Sequence, residues 1–220
     1  MSDITPFLKS LISLAGLSGF EAPVGKLIKE QWTPLVDEVS ESKLGSIHGR
    51  KTATLKGNIR QAPSVLIATH MDAIGLMVSR IVDEFLYVTN IGGIDSRVLP
   101  GTPVTVHASG TNEDLYGVIV MPPSNLIPDG EGGGVVPLKY LMIDMGLTSK
   151  EVAQKVKVGD RVSFATEPVE MSGGYLSGHT LDNRASVAAL TVCLEELQNK
   201  KHSWDVWAVA TVQEETVFGG

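Results

Sequence analysis

The sequence predicts an α/β fold, a central mixed sheet flanked by helices, interrupted by a small inserted β-barrel-like domain. Three observations carry that prediction. Apolar residues recur at helical spacing near the N-terminus and again after Asp182. Apolar, β-branched runs at residues 64–69 and 204–212 read as strands. Between Ala73 and Tyr175 the texture changes to short strands separated by Gly- and Pro-rich turns. The α/β domain is accordingly assigned to residues 1–72 and 176–220, and the insert to residues 73–175.

The elements follow in order. Ile4, Phe7, Leu8, Leu11 and Ile12 share one face of a first helix, with Ser2 as N-cap and Gly16 as its stop. Pro23 suits the first turn of a second helix that carries Val24, Leu27, Ile28 and Trp32. Short strands are expected at 36–40, 46–48 and 52–55, followed by a buried strand at 64–69 after Pro63. In the insert, strands are expected at 76–81, 85–89, 103–107 and 117–120. Ala185, Ala188, Ala189, Val192 and Leu197 mark the apolar side of a helix opened by Asp182, with Glu195, Glu196, Lys200 and Lys201 on its polar side. Residues 204–212 then form a second buried strand.

Composition narrows the function classes. A chain of 220 residues with 43% hydrophobic content has ample material for a core, in one large or two modest domains. A net charge of −7 argues against nucleic acid or an anionic membrane as partner. Cys193 is the single cysteine, so no internal disulfide forms and a reducing, cytoplasmic compartment is expected. Asp3 and Lys9 interrupt any signal-peptide pattern, and no apolar run reaches the ~20 residues of a membrane span.

Chemistry-bearing side chains stand where the apolar elements end. His70 and Asp72, two apart at a strand end, face the same side. That arrangement suits a metal-ligating imidazole and the carboxylate that orients it. Asp182 sits near a helix N-terminus, where the dipole favours a charged carboxylate. Glu214 and Glu215 follow the last strand, and as neighbours they are free to hold different jobs, one on a metal and one on a water. Each has a plainer reading: a surface His–Asp pair, an Asp N-cap, and two solvated acids in a loop. Coincidence of all three is the less probable account, because each acid terminates a core element at the edge where α/β sheets bind ligands. Residues 130–134 lack the ending of a phosphate loop and read as a flexible loop. His48, His107 and His202 lack acidic company at ligand spacing, and His179 reads as a polar loop residue.

His70-x-Asp72, then Leu181-Asp182-Asn183-Arg184 heading a helix, then Gln213-Glu214-Glu215 after a strand, resemble the signature of the tetrahedral and glutamyl aminopeptidases, a family of di-metal peptidases with some members labelled endoglucanase. Ser18-Gly19-Phe20-Glu21, Gly92-Gly93 and Gly159-Asp160-Arg161-Val162 add to the match. The resemblance implies a di-zinc aminopeptidase-like fold that removes N-terminal residues from peptide substrates. It implies His70, Asp182 and Glu215 as metal ligands, with Asp182 bridging, and it gives Glu214 and Asp72 the catalytic roles of general base and carboxylate behind His70. It also implies a cis peptide between Asp182 and Asn183. Two divalent metal ions, zinc or cobalt, are expected in the complete enzyme, with two further ligands, an Asp and a His, beyond Gly220. The 220-residue chain is therefore expected to hold an incomplete site with one metal or none. The insert is expected to build a homodimer, and dimers a dodecameric shell. A glycoside hydrolase using paired carboxylates and a non-catalytic assembly fragment are the alternatives.

Overall fold

A computed structural model describes residues 3–55, 62–128, 134–164 and 167–217. Ser2 and most of the 130–134 glycine run lie outside the described residues. The contacts divide the chain into two compact units, Met1–Ala73 with Glu167–Gly220, and Ile74–Thr166.

The first unit contains helices α1 (Thr5–Ser13) and α2 (Ala22–Trp32), strands β1 (Glu38–Glu41), β2 (Ile47–Lys51) and β3 (Ser64–His70). The second holds β4 (Gly75–Val82), β5 (Phe85–Ile91), β6 (Pro103–Ala108), β7 (Glu113–Val120), β8 (Met142–Asp144), α3 (Ser149–Lys155) and β9 (Arg161–Phe164). The chain then completes the first unit with β10 (Val169–Met171), β11 (Tyr175–Ser177), α4 (Leu181–Leu197), β12 (Asp205–Thr211) and α5 (Glu214–Val217).

In the first unit the sheet order is β1-β2-β12-β3. β12 runs antiparallel to β2 and parallel to β3, so the sheet is mixed. Leu11, Val24, Ile28 and Trp32 from α1 and α2 pack with Val187, Leu190 and Leu194 of α4 and with Ala208 and Ala210 of β12. Pro23 stands in the first turn of α2, where its missing N–H costs nothing. Trp32 donates its indole N–H to Thr191 Oγ1 at 2.8 Å, which satisfies a buried polar group inside this core.

Four sequence expectations are corrected here. The inward face of α4 is set by Arg184, Val187, Ala188, Leu190, Thr191 and Leu194, while Ala185 and Ala189 are exposed. Alanine is too small to mark a face, and Arg184 and Thr191 tolerate burial because each has hydrogen-bond partners. Residues 64–68 of the strand expected to be buried are exposed, with Leu66 at 62%. Among the described residues β3 stands at the end of the sheet, paired with β12 alone. Residues 52–55 form no strand, because the N–H of Thr52 goes to the Asp37 carboxylate and that of Ala53 to Asp205, rather than to a ladder partner. The preceding strand is correspondingly longer than expected and runs through Lys51.

The second unit is a closed barrel in the order β4-β5-β8-β7-β6-β9. Leu76, Val78, Leu86, Val104, Val106, Ile119, Ile143 and Val162 fill its interior from alternate strand positions. β8, α3 and β9 were not expected from the sequence. The first is three residues long, and α3 is only seven, too short to show a period. Residues 167–175, whose texture had suggested the insert, belong by their contacts to the first unit, where β10 and β11 pair as a hairpin. Among the described residues no helix is long and apolar enough to cross a membrane.

Candidate metal centre

The parallel pairing of β3 with β12 decides where the site lies. His70, the last residue of β3, is in register with Thr211, the last of β12, so both strands end at one edge of the sheet. Beyond β12 the chain turns through Gln213, whose φ is 57°, and enters α5 at Glu214 and Glu215. α4 spans Leu181–Leu197, but its backbone is non-helical at Asp182 and Asn183, which are joined by a cis peptide bond.

These three segments bring His70, Asp182 and Glu215 together, each offering a ligand atom within 4.8 Å of the others. His70 Nε2 lies 3.3 Å from Asp182 Oδ1 and 3.6 Å from Glu214 Oε2. The other ring nitrogen, Nδ1, is 3.3 Å from Asp72 Oδ1, in contact but too far off line for a well-formed hydrogen bond. Asp182 is exposed, with its side chain open at 87%, whereas Asp72 is fully buried.

Asp72 is the hub of the site. Its Oδ1 accepts the N–H of Glu214 at 3.1 Å, and its Oδ2 accepts the N–H of Glu215 at 3.0 Å and the Ser18 hydroxyl. Burial pushes the Asp72 carboxyl up, but the contacts from His70, Ser18, Glu215 and Glu214 outweigh it and hold the group below the usual carboxylate range. Ser18 is delivered by a short backbone exchange: Ala73 N–H donates to Gly16 at 3.1 Å and Ser18 N–H to Ala73 at 3.2 Å. Glu21, buried in the same loop, accepts the N–H groups of Gly19 and Gln213 at 2.7 and 3.0 Å, tying the turn before Glu214 to the segment before α2.

The electrostatics favour a cation. The Asp72 carboxylate beside it raises the His70 pKa against the opposing effect of burial, and Glu214 and Asp182 add to the rise. Burial raises Glu215, and the neighbouring Asp182, Asp72 and Glu214 charges raise it further, with only His70 opposing them. One imidazole thus faces several carboxylates. The donor set also fits a metal in spacing: two ligands ~2.1 Å from a tetrahedral ion stand about 3.4 Å apart, close to the 3.3 Å between His70 Nε2 and Asp182 Oδ1.

Sequence reasoning did not assign roles to Ser18, Glu21 or Arg184, although all three stand in its motifs. Their signal was the presence of buried polar side chains beside ligand candidates, which only the fold makes visible. His107 needs a correction. It does have acidic company, with Nδ1 2.7 Å from Asp114 directly across β6 and β7 and Nε2 2.9 Å from Ser163. That partner lies seven residues away in sequence and becomes adjacent only through strand register.

The fold recurs in known proteins. A lysyl aminopeptidase of Pyrococcus furiosus is 33% identical over 97% of this chain and 60% of its own length. Among solved structures, an aminopeptidase from the archaeon Desulfurococcus kamchatkensis superposes with a TM-score of 0.86 at 34% identity, over 99% of this chain and 57% of that one. The TET1 peptidase of Pyrococcus horikoshii, described as assembling into a tetrahedron or a large octahedral shell, gives 0.80 at 29% identity, over 98% and 62%. The chain spans about 60% of the length of curated relatives that it matches. With residues 49–220, a stretch that includes His70, Asp182, Glu214 and Glu215, matching that family's sequence profile, the chain belongs to the M42 glutamyl aminopeptidases.

Proposed function

We propose that this chain carries the first part of the catalytic site of a metal-dependent aminopeptidase, which hydrolyses the N-terminal residue from peptide substrates. The observation that carries the reading is the convergence of His70, Asp182 and Glu215 within 4.8 Å, with Glu214 beside them. In this reading His70, Asp182 and Glu215 hold divalent metal, zinc or cobalt by the chemistry of mixed imidazole and carboxylate donors. The bound metal supplies a water of lowered pKa and polarises the scissile carbonyl. Glu214 is the general base: its carboxylate, 3.6 Å from His70 Nε2, would take the proton from the attacking water and pass it to the leaving amine. Asp72 keeps the His70 ring turned so that Nε2 faces Asp182.

The insert, residues 74–166, is proposed as the self-association surface. Exposed Tyr116, Val118, Met121 and Leu126 support that assignment, because apolar side chains left open on a small barrel favour a partner. A second copy, and on it a dodecameric shell, is the proposed partner; free, exposed Cys193 suits a cytoplasmic setting.

Metal stoichiometry and turnover on aminoacyl p-nitroanilides test the reading together. Glu215→Gln is expected to lose bound cobalt, whereas Glu214→Gln keeps it and loses roughly 100-fold or more in kcat. Equal metal loss in both variants, or turnover indifferent to chelation, refutes the assignment.

A further inference from the structure

Arg184 is fully buried, yet among the described residues it forms no ion pair with a carboxylate. All five of its N–H donors go to backbone carbonyls. Nη1 donates to Leu11 at 2.6 Å and to Leu14, and Nη2 donates to Ala15 at 2.6 Å and Gly16 at 3.2 Å, so the guanidinium closes the C-terminal end of α1. The remaining donor, Nε, reaches across to the carbonyl of Met71 at 2.9 Å. Met71 is the residue between His70 and Asp72, and Arg184 stands two residues after Asp182.

We infer that Arg184 is a positioning residue that fixes the backbone between His70 and Asp72 against the Asp182 turn, and so sets the separation of the ligands from β3 and α4. This inference rests on the metal reading proposed above. An end cap for α1 alone does not need a cation, because the backbone already leaves the helix at Leu14, which is extended at φ −80° and ψ 142°. Burial lowers the Arg184 pKa to about 10, a sign of how strongly the surroundings oppose its charge. The return for that burial is a rigid planar fork that spans two segments at once, which a lysine ammonium cannot reproduce. Room is reserved for it: a Cβ on Gly16 would lie 2.7 Å from Nη2. Through Met71 the fork also bears on Asp72, and from there on the N–H groups of Glu214 and Glu215.

Arg184→Lys and Arg184→Gln, made in parallel so that loss of fold in one leaves the other, test the inference by two readouts. In cobalt(II) titrations of the chain, a folded variant is expected to bind roughly 10- to 100-fold more weakly, the range for loss of an outer-shell partner, with an altered d–d absorption spectrum. In the metal-free chain, amide hydrogen exchange is expected to accelerate at Ala73, Glu214 and Glu215 relative to the interior of β12. A cap with a merely structural role lowers the melting temperature and leaves the cobalt affinity and spectrum of the folded variant unchanged; that result overturns the inference. So does unchanged exchange at the three amides. If the unsubstituted chain binds no cobalt, or His70→Ala binds it equally well, the metal reading is what fails, and the exchange data still decide whether Arg184 positions this backbone.

Discussion

Replacing Asp72 by Asn changes one atom in the most connected side chain of the site, and the structure says what that atom does. If the new NH2 takes the place of Oδ1, it points at the N–H of Glu214, and His70 must present a lone pair at Nδ1, which moves the ring proton to Nε2, the nitrogen facing Asp182. If it takes the place of Oδ2, the Ser18 hydroxyl can turn round and accept, and only the N–H of Glu215 loses its acceptor. The second arrangement leaves less unsatisfied and is the expected one. An orphaned, part-buried N–H costs about 1–3 kcal/mol. The bonds that remain lose their charge assistance, about half their strength, while the relief from burying a charge offsets part of that loss. A net destabilisation of about 2 kcal/mol is expected. Urea unfolding at neutral pH reads it as a lower midpoint at unchanged slope, and hydrogen exchange locates it as faster exchange at the Glu215 amide. A loss under about 0.5 kcal/mol, the scatter of ordinary surface substitutions, with both amides still protected, would refute the reasoning that Asp72 holds this end of α5.

Three further outcomes are expected. Gly110→Ala places a Cβ 2.3 Å from the carbonyl oxygen of Lys155 at the end of α3, and is expected to destabilise the barrel by about 1–3 kcal/mol in thermal unfolding of the chain. Thr148→Ala removes the capping box of α3 and is expected to cost about 1 kcal/mol at neutral pH. The Thr148 hydroxyl and N–H hold the Glu151 carboxyl below its ordinary 4.5, so the contribution of that carboxylate is complete above pH 4.5 and fades as pH falls through the lower folded value; the deficit of Thr148→Ala in denaturation should shrink in acid accordingly. Leu66→Lys puts a charge on the exposed strand β3 and is expected to reduce non-specific edge-to-edge aggregation in sedimentation velocity while leaving association through the insert unchanged, with stability changed by less than about 0.5 kcal/mol.

The ligand candidates were legible because their chemistry is carried by residue type and by position at the end of an apolar run. Position at the ends of apolar elements marked His70, Asp182, Glu214 and Glu215 as candidates, and the resemblance to the aminopeptidase family is what divided the roles among them. Residues that hold those groups in place left no such trace. Ser18 reaches Asp72 across 54 positions and Arg184 reaches Met71 across 113, and neither separation has a period or a motif attached. The long barrel strands β4 to β7 were recovered from their composition and turns, whereas β8 and β9 contribute three and four residues each and exist only as partners to close the ring. β3 was misjudged for a related reason. An apolar, β-branched run specifies a strand, but whether anything covers it is a property of the elements around it.

The barrel closes through β4 and β9, with Leu76 beside Val162 and Met77 beside Arg161, and this bears on the order in which the chain can fold. Those strands are the way into and the way out of the second unit, so once that unit has formed, the two ends of the intervening polypeptide are held side by side. For the first unit, whose β3 must find β12 from Ser64 to Asp205, the effective tether is then shortened to what lies outside the barrel. Shortening the β3–β12 connection from about 134 residues to roughly 40 removes on the order of 1 kcal/mol of closure entropy. A barrel built from one continuous stretch can fold without waiting for the rest of the chain, and it then acts as a staple for the discontinuous sheet. Damage confined to the barrel, such as Gly110→Ala, would on this account slow the assembly of a site whose ligand candidates His70, Asp182 and Glu215 all lie in the first unit.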